Sequence, residues 1–141
     1  MRPAPAVAEL VIDLPRSGSA PGIGRRALRR MLADACALEL APDAELAASE
    51  LITTTVAAAA GRVLMSASFE HDTGIVRVEV RDPDAGPTAS RLRDASPGAE
   101  AAMAVVSAVS TCCGIERQTG RAGTVMWFEI HQYRPTHRRS A

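Results

Sequence analysis

Two stretches of strict alternation, separated by one short polar break, constrain this chain more than any other feature. Val63–Glu70 and Ile75–Asp82 both place apolar residues at every second position, and His71-Asp72-Thr73-Gly74 lies between them. Side chains of a strand point alternately to opposite faces, so each stretch has one face suited to a core and one suited to water. The Asp- and Gly-containing break supplies the turn that folds the second strand back on the first. A lone hairpin is marginal in water, so the remainder of the chain must cover its apolar face.

The flanking segments are patterned to do so. Leu10, Ile12 and Leu14 alternate with Glu9, Val11 and Asp13, and Pro15 stops the run, which predicts a strand over Val7–Leu14. From Ile23 to Leu38 the period becomes helical: Ile23, Ala27, Leu28, Met31, Leu32, Ala35 and Leu38 share one face. Pro42 and Asp43 open a second helix expected to run to Ala60, with Gly61 as its C-cap, although Leu51–Val56 has local strand propensity. Pro83–Gly98 has three prolines and no apolar period and reads as a long loop. A third helix is expected over Ala99–Cys112, burying Met103, Val106 and Val109. A closing hairpin follows, Gly114–Thr119 with Gly123–His131, around Gly120-Arg121-Ala122.

The resulting order, β-α-α-β-β-α-β-β, predicts an α+β two-layer sandwich: a mostly antiparallel sheet with helices on one face. At 141 residues and 47% hydrophobic composition the chain can bury one core. Residues 1–6 read as an N-terminal tail, 7–132 as the domain and 133–141 as a basic C-terminal tail.

Composition excludes several functions. No apolar run approaches the roughly 18 residues of a membrane span, and the N-terminus has no signal-peptide core, so no membrane partner and a cytoplasmic location are expected. Sixteen basic residues balance sixteen acidic ones, which argues against direct nucleic-acid binding. Every basic residue is arginine, so a P-loop lysine or a Schiff base is impossible. Aromatics at 3% leave little for base stacking. The three cysteines (Cys36, Cys112, Cys113) and the scattered histidines show no metal-ligand spacing, and no metal site is expected from them. Arg25, Arg26, Arg29 and Arg30 fall together on the polar face of the first helix. That strip reads either as a solvated surface, relieved only by Asp34, or as a docking face for an acidic partner.

Four strings, in order, carry a resemblance: Leu14-Pro15 ahead of the Arg-rich helix, Asp43–Thr53, Val78–Pro83 and Gly123–Ile130. Together they resemble the anti-sigma-factor serine kinases, small members of the ATPase fold shared by gyrases and histidine kinases (GHKL, the Bergerat fold). The resemblance covers about Leu14 to Ile130. It implies that Glu50 corresponds to the general base on the second helix, and that Asp82 and Thr124 correspond to the residues that hold adenine. The family's magnesium-binding Asn and following His correspond to Thr54 and Ala58. Its glycine-rich phosphate loop corresponds to Ala99-Glu100-Ala101-Ala102, where side chains crowd the approach and Glu100 opposes a triphosphate.

The reading that results is a regulatory protein-binding module of the anti-sigma type, with ATP and magnesium binding and kinase activity lost. The implied partners are a sigma factor, an anti-sigma antagonist or a small transcription regulator, gripped by Arg25, Arg26, Arg29 and Arg30, and a homodimer is possible. The alternative is an active serine kinase that uses Glu50 with ATP and magnesium held by Thr54, Asp82 and Thr124.

Overall fold

A computed structural model describes residues 6–58, 61–83, 97–117 and 124–132. The strands are β1 (Val7–Leu14), β2 (Val63–Glu70), β3 (Ile75–Arg81), β4 (Cys112–Arg117) and β5 (Thr124–His131). The helices are α1 (Ala20–Asp34), α2 (Ala41–Ala58) and α3 (Pro97–Val109), with a 3-10 turn at Leu38–Leu40 leading into α2. The five strands form one sheet in the order β1-β2-β3-β5-β4, every neighbouring pair antiparallel. This is the expected α+β arrangement of sheet and helices.

The alternation that predicted β2 and β3 sets the core. Val63, Met65, Ala67 and Phe69 on β2, and Val76, Val78 and Val80 on β3, are buried beneath the helices. Met126, Phe128 and Ile130 extend that face along β5. Helix α2 lies between α1 and α3, with Ala44, Ala47, Ala48, Leu51 and Ile52 buried. Its small residues let the neighbouring helices approach closely, and Gly24 of α1 marks the tightest point. A Cβ there would stand 2.3 Å from Cδ1 of Ile52. The turn between β2 and β3 closes with Gly74 at φ 68°, a left-handed conformation that glycine adopts without penalty.

Helix boundaries depart from the sequence expectation at both ends of α1, which begins at Ala20 rather than Ile23, and at both ends of α3. Helix α1 ends at Asp34 rather than Leu38 because Cys36 adopts φ 57°. The Cys36 and Ala37 amides then donate back to the Ala33 and Leu32 carbonyls at 3.1 and 2.8 Å, a Schellman closure. Leu38 falls outside the helical stripe and is exposed instead of buried. Helix α3 starts at Pro97, two residues early, and stops at Val109. Beyond it, the Thr111 amide donates to the Glu129 carbonyl at 2.8 Å, so the sheet captures Cys112 as the start of β4. The remainder of the expected long loop, the closing turn at 120–122, Ala59–Ala60 at the expected end of α2 and the tail 133–141 lie outside the described residues.

Cys36 is exposed and holds a conformation that favours glycine. Cys36→Gly removes a left-handed penalty of about 1–2 kcal/mol, partly offset by about 0.5–1 kcal/mol from the freer unfolded chain. The expected result is a rise of about 0.5–1 kcal/mol in unfolding free energy by urea titration. A lower midpoint would show that the Cys36 side chain contributes packing that its exposure does not suggest.

Candidate functional site

Three polar residues are almost completely buried among the described residues: Thr55, Asp82 and Thr124. Asp82 directly follows β3 and Thr124 begins β5. The antiparallel ladder between these strands ends with Arg81 opposite Val125, so one further step sets Asp82 opposite Thr124. The two residues that the resemblance assigns to adenine therefore lie at the same end of the sheet, each engaged in an interaction of its own. Thr55 approaches from α2, its hydroxyl 3.8 Å from Sδ of Met126, which lies two residues along β5 from Thr124. Thr55 follows Leu51 and Ile52 at helical spacing, so its inward position was legible in the sequence, where it was passed over.

Glu50 and Thr54 sit on α2, each partly exposed. Oγ1 of Thr54 donates to the backbone carbonyl of Glu50 at 2.9 Å. A threonine so bonded directs its hydroxyl proton to its own helix. Ala58, at the histidine position of the resemblance, offers no polar atom and is partly buried.

The segment equated with the phosphate loop is the first turn of α3. Ala99 and Ala102 are 5% and 3% exposed. Gly98, Glu100 and Ala101 face outward. Glu100 lies in the first turn, where a carboxylate complements the positive end of the helix dipole. An anion attracted to that helix end meets a negative charge already there.

The arginine strip is less uniform than its spacing suggests. Nη1 of Arg25 donates to Oγ of Ser49 at 2.9 Å, and Arg29 pairs with Glu45 at 3.2 Å, so both reach across to α2. The sequence reading named only Asp34 as relief, and the correction comes from inter-helix packing. Arg30 does pair with Asp34 at 3.6 Å, but both side chains remain largely in solvent. Arg26 and Arg30 are thus the outward members of the strip. Arg30 and Asp34 also border a groove of about 770 Å³ between α1 and β1, floored by Leu10, Ile12, Ala27, Met31 and Phe69.

No helix among the described residues is long and apolar enough to cross a membrane. Compared with known proteins, the chain matches no family profile, and no curated protein matches it in sequence.

Proposed function

We propose that this chain is a protein-binding regulator of the anti-sigma-factor type, built on a GHKL-like sandwich whose ATP and magnesium chemistry has been lost. The observation that carries this reading is the first turn of α3. The residues that would cradle phosphates are helical, Ala99 and Ala102 are buried, and Glu100 lies at the positive helix end. Thr54 adds to it, because its hydroxyl is bonded within α2.

Protein binding is supported by the α1 surface. An apolar groove with Arg30 on its border, next to exposed Arg26, suits an amphipathic segment carrying carboxylates. A sigma factor, an antagonist of the anti-sigma type or a small transcription regulator would present such a segment. The burial of Asp82 and Thr124 at one end of the sheet favours the second reading, an active serine kinase with Glu50 as base, since these are the residues that the resemblance assigns to adenine. Affinity capture from the native cell extract, followed by incubation of the complex with γ-labelled ATP, separates the two. The expected result is a co-purifying transcription regulator that acquires no label. Transfer of label to a serine of that partner would establish the kinase reading instead.

A further inference from the structure

The polar face of the sheet, opposite the helices, carries a second arrangement of chemistry-bearing residues. Cys112 on β4 is the register partner of Glu129 on β5, and His131 follows two residues further along β5 on the same face. We propose that Cys112, Glu129 and His131 form a zinc-binding site at this edge of the sheet, with solvent completing the coordination.

The ligand atoms of the three side chains all lie within 4.8 Å of one another. Oε1 of Glu129 is 3.6 Å from Sγ of Cys112 and 3.5 Å from Nε2 of His131. Zinc bonds of about 2.0 Å to oxygen or nitrogen and 2.3 Å to sulfur require tetrahedral edges of roughly 3.3–3.6 Å. Two edges of the tetrahedron are therefore already close to length. Thiolate, imidazole and carboxylate together suit zinc better than the hard cations, which favour oxygen alone.

The carboxylate is held from behind. Nη1 of Arg77 donates to Oε2 of Glu129 at 3.0 Å, which leaves Oε1 turned toward the cysteine and histidine. Arg77 in turn lies 4.3 Å from the centre of the Trp127 ring. That ring lies across Gly114, where a Cβ would come within 3.0–3.1 Å of the indole. Such outer groups fix the direction of a ligand and are a usual part of metal sites.

Zinc would take the place of the thiol proton, which passes to solvent, and no electron changes hands. The bound ion would tie the start of edge strand β4 to β5. Sequence spacing gives no sign of the site, because only the strand register brings Cys112 to Glu129.

Cobalt reports on zinc sites through its spectrum. The reduced full chain, titrated with Co²⁺, should develop a thiolate-to-cobalt charge-transfer band and tetrahedral d–d bands that saturate at one ion per chain and are displaced by Zn²⁺. Cys112→Ser should abolish the charge-transfer band and His131→Ala should weaken it, while Cys36→Ser and Cys113→Ser retain it. Zn²⁺ should raise the melting temperature of the parent chain but not that of Cys112→Ser, whose circular dichroism should match the parent. A parent chain without the charge-transfer band would overturn the proposal, as would a band that survives Cys112→Ser.

Discussion

Phe128→Ala is expected to remove about 3–5 kcal/mol of stability, the usual cost of emptying an aromatic site in a packed core. Phe128 is fully buried in the central part of β5, with Val78 beside it on β3 and Cys113 on β4. Total stabilities of domains this size are about 5–15 kcal/mol, so the variant should unfold at a markedly lower denaturant concentration than the parent. Urea titration monitored by circular dichroism measures the loss. A change below about 1 kcal/mol would mean that the helix layer does not bear on the sheet at this point.

The second large effect is on binding and leaves the fold intact. Arg26→Glu combined with Arg30→Glu should abolish co-purification of the proposed partner from native extract, because it turns two exposed cations into anions, and Arg30 borders the groove at α1. Desolvated arginine–carboxylate bonds contribute roughly 1.5–3 kcal/mol each, so reversing two of them exceeds what a typical interface tolerates. The thermal melt should hardly move. Arg30 gives up only a solvent-exposed pair with Asp34, and like charges at that spacing cost a few tenths of a kcal/mol. The same reversal at Arg29 would be a poorer test, since Arg29 is engaged with Glu45 of α2. Undiminished capture by the double variant would move the interface away from α1.

These contrasts show which parts of the molecule were legible beforehand. Period-two alternation defined Val63–Glu70 without error and β3 to within one residue, because burying one sheet face leaves a one-residue slip no favourable alternative. Asp82 and Thr124 were marked by resemblance alone. Their burial and mutual placement follow from the β3–β5 register, which sequence periodicity does not specify. The ends of α1 and α3 were misjudged for a shared reason: distant or unusual backbone contacts decide them. Cys36 stops α1 in a conformation usually left to glycine, and the Thr111 amide is claimed by the Glu129 carbonyl of β5. The Arg25–Ser49 and Arg29–Glu45 contacts likewise depend on how α1 crosses α2.

Whether the chain binds a nucleotide decides between the two proposed readings. In the proposed reading, helical Ala99–Ala102, the carboxylate of Glu100 and Thr54 bonded to its own helix oppose a magnesium-bound triphosphate. Isothermal titration of the full chain with Mg·ATP measures this directly. The account predicts no binding heat up to millimolar nucleotide, and a micromolar dissociation constant would contradict it and establish a working ATP site.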